Sequence, residues 1–231
     1  MTGPRKFFFV HLQKTAGTSL LIRMRSHFGE RGVYPTPEER GIVTSFSVDL
    51  LTERFAARRD EIQVVAGHFP LSVAQMLGEP FTVFTVLRDP VQRTLSYLRQ
   101  QQADVDQFAS ASLDEIYDDP WRRSWLLTNH MVRMLGQNVE ELAAGTMAPD
   151  DENLDRAKQA LTEQIDLFGF QEGFDEFCAA LGHRYGWDLG EPVVANATPP
   201  SNASEQLAAR IREDNWADVE LLEFARRLTD R

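Results

Sequence analysis

Residues 7–20 read FFFVHLQKTAGTSL, and their order decides the fold. The apolar run at Phe7–Val10, continuing to Leu12, predicts a buried strand. A loop of polar and small residues follows, with Lys14, Thr15, Gly17, Thr18 and Ser19 inside six positions. A helical pattern begins at once and runs over 17–28. A strand, a small-residue loop and a helix N-terminus make a ready anion site, because free backbone N–H groups and the positive helix end converge there. A lysine adds a full charge and the hydroxyls add donors. The stretch therefore predicts a phosphorylated or sulfated ligand, held by Lys14, Thr15, Ala16, Gly17, Thr18 and Ser19.

The same spacing excludes two common nucleotide loops. A Walker A loop places lysine directly after its second glycine. Here Lys14 precedes Gly17, and no glycine stands where the first one would be, a place held by Phe8. The dinucleotide fingerprint needs three spaced glycines, and Gly17 stands alone.

Working outward, further strands are predicted at Gln63–Ala66, Phe81–Leu87 and Leu167–Phe170, with a weaker one at Ile42–Phe46. Helical patterns fill 49–59, 71–77, 91–103, 121–135, 152–164, 173–186 and 203–228, the last broken near Asp214. Strands alternating with helices imply an α/β domain, a small parallel sheet flanked by helices, with a largely helical C-terminal half. The 231 residues are read as a single domain over 1–231. The Pro-rich stretch Gly190–Ser204 reads as a long loop of the kind that forms lids.

A second informative stretch is FTVFTVLRDPVQRTLSYL, residues 81–98. Asp89-Pro90 is a helix start, aspartate as N-cap and proline in the first turn. Arg88 then stands at the C-terminal end of a strand, where open α/β sheets bind ligands. Ser96 falls two turns into the helix, on nearly the same face as Asp89 and Arg93. Arg88 and Ser96 are thus placed to grip one phosphate, the alternative being an arginine paired with a carboxylate.

The two stretches together resemble the sulfotransferases that use 3′-phosphoadenosine 5′-phosphosulfate, nearest to the uronosyl 2-O-sulfotransferase branch and its bacterial relatives. That family carries a K-T-x-x-T-S-like phosphosulfate loop, matched by Lys14, Thr15, Thr18 and Ser19. Its 3′-phosphate motif, R-D-P-x-x-R-x-x-S after a strand, is matched by Arg88, Asp89, Pro90, Arg93 and Ser96. Ala66-Gly67-His68-Phe69 resembles the family's Gly-His segment, whose histidine is the acceptor's general base. Residues 129–136, 168–177 and the loop around Asn196 also look like family landmarks. Unlike the animal members, the chain is expected to lack an N-terminal membrane anchor, and its sequence shows no obvious basic substrate groove.

The resemblance implies a three-layer, P-loop-NTPase-like sulfotransferase fold and in-line sulfuryl transfer to a hydroxyl. The acceptor would be a small molecule or a carbohydrate. His68 would take the proton, Lys14 would stabilise the leaving phosphate, and Arg88 with Ser96 would hold the 3′-phosphate. The alternatives are a kinase-type phosphotransferase on the same fold and a non-catalytic nucleotide-binding protein.

Composition narrows the partners. A net charge of −11 argues against nucleic acid, which needs a basic face. Residues 1–59 carry a net +5 and residues 111–231 a net −13, so the basic excess lies with the anion loop. The acidic half suits a neutral or cationic acceptor better than a highly sulfated one. Only three of the 24 cationic side chains are lysine, yet the loop uses one, Lys14. An ammonium is a compact point charge where guanidinium is a broad fork. No apolar run approaches the ~20 residues of a membrane span. A single cysteine, Cys178, permits no internal disulfide and fits a reducing, cytoplasmic setting. The sequons at Asn196 and Asn202 are expected to go unused. No metal-ligand motif stands out.

Several residues are read as structural. His11 is expected to pack toward the core and His130 to be a satisfied core or surface histidine. Trp121 and Trp125, four apart, are expected to be core packing rather than an acceptor platform. Trp187, before the long loop, is a further candidate for the site wall.

Overall fold

The structure, a computed structural model, describes residues 5–39, 41–146, 148, 150–190 and 203–230. Strand β1 (Phe7–Val10) leads into α1 (Gly17–Phe28), β2 (Val33–Tyr34), α2 (Ile42–Phe46) and α3 (Val48–Ala57). β3 (Val64–Val65), α4 (Ser72–Met76), β4 (Thr82–Leu87) and α5 (Pro90–Asp104) follow. Next come α6 (Leu113–Tyr117), α7 (Pro120–Arg122), a π-helical turn (Arg123–Leu127), α8 (His130–Gly136), α9 (Val139–Ala144) and α10 (Asp150–Glu163). β5 (Leu167–Phe170) returns to the sheet before α11 (Phe174–Tyr185), α12 (Glu205–Asp214) and α13 (Trp216–Thr229).

The five strands form one parallel sheet in the order β2-β3-β1-β4-β5. β1 is central because it is apolar on both faces, and alternate side chains serve opposite layers. Phe8 and Val10 join a core built with α3, α4, α8, α10 and α13. Phe7 and Phe9 join the opposite core, built with α1 and α11. Each side chain so buried contributes about 1.5–3 kcal/mol. A third core, made by α5, α6 and α12, gives the C-terminal half its helical character.

The topology creates a crevice. From β1 the chain runs toward β2 at one edge of the sheet, and from β4 toward β5 at the other. β1 and β4 are neighbours, paired from Phe7↔Thr82 to Val10↔Thr85. The segments leaving their C-terminal ends therefore part, which is where open α/β sheets accept ligands. Among the described residues no helix is long and apolar enough to cross a membrane.

Two expectations are corrected. Ile42–Phe46 is a helical turn, not a strand. The sheet edge beside it is already taken by β2, and its backbone is used elsewhere: Ser45 O accepts from His68 N–H at 2.8 Å and Thr44 O from the Tyr34 hydroxyl at 3.1 Å. Tertiary pairing overrides strand propensity there. The helix expected over 121–135 is interrupted at Thr128 and Asn129, where Thr128 N–H reaches Arg123 O five residues back and Asn129 turns left-handed at φ 46°. The sequence pattern also missed β2, α6 and α9, which are too short to carry a periodicity. Of the expected loop at 190–204, residues 191–202 lie outside the described residues, and with them Asn196 and Asn202 of the two sequons.

Candidate active site

The anion loop follows β1 as expected, and its backbone is strained. Lys14 (φ 66°) and Ala16 (φ 68°) are both left-handed without being glycine, at roughly 1–2 kcal/mol each. Such residues curl a backbone into a nest of N–H groups. The N–H groups of Ser19 and Leu20 both turn back onto Ala16 O, at 3.1 and 3.3 Å. Those of Thr15, Ala16, Gly17 and Thr18 have no acceptor among the described residues. Gly17 is required by a close approach: a Cβ there would sit 2.0 Å from the His11 ring.

Arg88 leaves the end of β4 toward this loop, donating from Nη1 to Lys14 O at 2.7 Å. Its Nε is buried with no partner among the described residues. The alternative of a carboxylate partner does not hold among them either, for neither Arg88 nor Lys14 makes a salt bridge there. Lys14 Nζ donates only to Gln100 Oε1, at 3.1 Å. Burial and the Arg88 charge lower the Lys14 pKa, and Asp104 works against them. Burial likewise lowers Arg88. Two poorly compensated cations thus stand at adjacent strand ends, an arrangement that an anion relieves. The helix after Arg88 starts as expected, with the Asp89 carboxylate accepting from Gln92 N–H at 2.9 Å and Pro90 in the first turn.

His68 follows β3. Its Nδ1 lies 2.7 Å from the carbonyl oxygen of His11. A carbonyl only accepts, so Nδ1 carries the proton and neutral His68 keeps a lone pair on Nε2. Burial, and secondarily the Lys14 charge, holds His68 below its ordinary pKa, while the bond to His11 works the other way. The ring is wedged between His11 and Phe46, with centroids 4.2 and 5.0 Å away. His11 is buried and stacks on Phe9 at 5.1 Å, yet it also lines the cavity, and its carbonyl orients the His68 imidazole.

All of these meet at one cavity of about 1400 Å³. Its wall includes Lys14, Ala16, Gly17, Thr18, Ser19 and His68, together with Arg88 and Ser96. Thr15 is the expected site residue whose side chain is absent from that wall. It is fully buried, and its hydroxyl donates to Leu12 O at 2.9 Å, so it braces the turn.

Further wall residues escaped the motif search. Ser96, Gln100 and Asp104 are four apart on α5, so a helical-wheel reading extended past Ser96 would have found them. Gln171 and Glu172, in the turn after β5, and Phe174, Asp175 and Glu176, at the start of α11, come from within the 168–177 landmark. His130 is buried as expected, accepting from Gln13 N–H at 3.5 Å, yet it also lines the cavity. Trp121 and Trp125 are not core: they are 60% and 54% exposed, and both line the cavity. Trp187 is the reverse, buried against Phe7 with ring centroids 4.7 Å apart and not part of the wall.

Arg93, matched to the 3′-phosphate motif, does not reach the cavity. It is fully buried, donating to Leu126 O at 3.3 Å and Leu127 O at 2.6 Å. Burial brings its pKa down to about 10. It clamps the π-helical turn that carries Trp125. No protein-family model matches the chain, and no curated protein matches it at a significant level.

Proposed function

We propose that the cleft belongs to a sulfotransferase that uses 3′-phosphoadenosine 5′-phosphosulfate and an acceptor hydroxyl, on a P-loop-NTPase-like frame. The observation that carries this reading is the pair of cations without carboxylate partners, Lys14 and Arg88, at the diverging ends of β1 and β4. The residues present fit the donor. The orphaned Arg88 Nε and the four acceptor-less N–H groups of the loop are the kind of donors that dianionic groups satisfy. The loop at 14–19 would hold the 5′-phosphosulfate, and Arg88 with Ser96 the 3′-phosphate.

When bound, the donor supplies the sulfuryl group and leaves as 3′,5′-adenosine bisphosphate. The protein's part is positioning, charge stabilisation and one proton. Lys14 offsets the charge that grows on the departing phosphate oxygen. His68 Nε2 takes the proton of the acceptor hydroxyl as that oxygen gains its new bond. The His11 carbonyl keeps the Nδ1 proton in place and steadies the imidazolium that forms.

Calorimetric titration tests the donor class, with 3′,5′-adenosine bisphosphate set against ATP and Mg²⁺. The bisphosphate is expected to bind in the micromolar range, and Arg88→Ala to weaken it about 100-fold. Binding of ATP with Mg²⁺ alone would replace this reading with a kinase, and binding of neither with a non-catalytic role.

A further inference from the structure

Trp121 and Trp125 have the most exposed large apolar side chains among the described residues, and both face the cavity that holds His68 and Lys14. Large indoles left wet inside a cleft mark a surface that a ligand covers. Their setting is fixed rather than floppy. The π-helical turn closes through Thr128 N–H on Arg123 O at 3.0 Å. Arg93 holds its two last carbonyls from below, and Arg123 ties it to Asp214 at 2.8 Å. Turns of this kind recur at functional sites, and a locked support pre-organises what it carries.

Three amides share the cavity wall with the indoles, each half used. Gln100 Oε1 accepts from Lys14 and Gln101 Oε1 accepts from Arg122 Nε at 3.3 Å, so both NH₂ groups remain. Gln137 Nε2 donates to Thr146 O at 3.0 Å, so its carbonyl remains. Flat apolar faces flanked by uncharged donors and acceptors match a sugar ring, whose C–H bonds form an apolar face and whose hydroxyls lie at its rim. Charge argues the same way. The other wall arginines are engaged, Arg122 with Asp119 and Arg133 with Asp150, both at 3.1 Å. Asp104 and Glu176 also line the wall, as do Glu172, paired with Arg226 at 2.7 Å, and Asp175, paired with Arg23 at 3.2 Å, so away from Lys14 and Arg88 a polyanion would meet carboxylates and already paired arginines.

We propose that Trp121 and Trp125 form the acceptor platform of this cleft, and that the acceptor is an uncharged carbohydrate whose ring stacks on the indoles. The acceptor role rests on the sulfotransferase reading; the carbohydrate site itself does not. The test is calorimetric titration of the full chain, with and without saturating 3′,5′-adenosine bisphosphate. The probes are neutral di- and trisaccharides of glucose, galactose, mannose and N-acetylglucosamine, a sulfated heparin disaccharide, and 4-nitrophenol. At least one neutral saccharide is expected to bind, and Trp121→Ala with Trp125→Ala to weaken it about tenfold or more. The same variants should leave bisphosphate affinity unchanged, which also certifies their fold, and Trp→Phe at both positions should recover part of the loss. Binding of the sulfated disaccharide or of 4-nitrophenol alone would overturn the proposal. So would saccharide binding indifferent to both tryptophans, or no saccharide binding at all. Saccharide binding without bisphosphate binding would keep the carbohydrate site and sink the donor assignment.

Discussion

At the scale of single residues, the site depends on which atoms are already committed. Lys14 and Arg88 were legible as cations at strand ends and His68 from the family resemblance, and the three do share one cavity wall. The two motifs gave no sign that the Thr15 hydroxyl is spent on Leu12 O or that the Arg93 guanidinium is spent on two carbonyls. Sequence spacing cannot tell a side chain that faces a ligand from one that faces its own turn. His68 gives the sharpest prediction at this scale. His68→Gln keeps a polar amide of similar reach but cannot take a proton. It should lower kcat/KM by roughly 10²–10⁴ while leaving bisphosphate affinity intact, with donor turnover followed as bisphosphate release in the presence of the neutral saccharides. In the wild type the acid limb of the rate profile should lie below the ordinary histidine value of 6.5, because burial lowers His68. An acid limb above that value, or a fully active His68→Gln, would remove His68 from the base role.

At the scale of elements, long periodic segments were readable and short ones were not. β1, β4, β5, α1, α5 and α10 carry enough pattern to be seen, and the break between α12 and α13 was visible at Asp214. The segment over 121–135 read as one helix because its residues suit a helix. Its interruption is imposed from outside. Asn129 is pulled into a left-handed turn while its N–H donates to Asn215 at 2.9 Å and its side-chain oxygen accepts from Ala217 at 3.1 Å. The Asp218 carboxylate then accepts from Met131 and Val132 N–H, at 3.1 and 2.8 Å, at the start of α8. Arg93 is the keystone of this turn. Arg93→Met should cost about 2–4 kcal/mol, chiefly by leaving the carbonyls of Leu126 and Leu127 buried without donors. Urea denaturation would register the loss as a lower midpoint at unchanged slope. A variant as stable as the wild type would mean that the turn holds itself.

For the whole molecule, the buried histidines couple the site to global stability. Burial pulls His11 and His130 well below 6.5, with the His68 charge a further cause for His11 and Arg93 for His130. His68 is lowered too. A group depressed in the folded state binds its proton more readily when unfolded, so its contribution is present above 6.5 and lost as the pH falls. Asp218 runs the other way: burial raises it from 3.8 to about 6, so its contribution fades as the pH rises across that window. Three groups oppose one, and unfolding midpoints in urea should be lower at about pH 5.5 than at about pH 7.5. Substituting His130 with Asn should flatten that slope, and equal stability at the two values would contradict the account. The sequence by itself determined the parallel α/β class, the small-residue loop after β1 and the arginine after β4, because hydrophobic period and residue type are local properties. Only the tertiary structure decided that Trp121 and Trp125 are wall and Trp187 is core, that Arg93 is a clamp, and that the turn after β5 and the start of α11 bring acids to the cavity wall. Those outcomes depend on which distant element covers each side chain, and burial by a remote partner leaves no mark in local spacing.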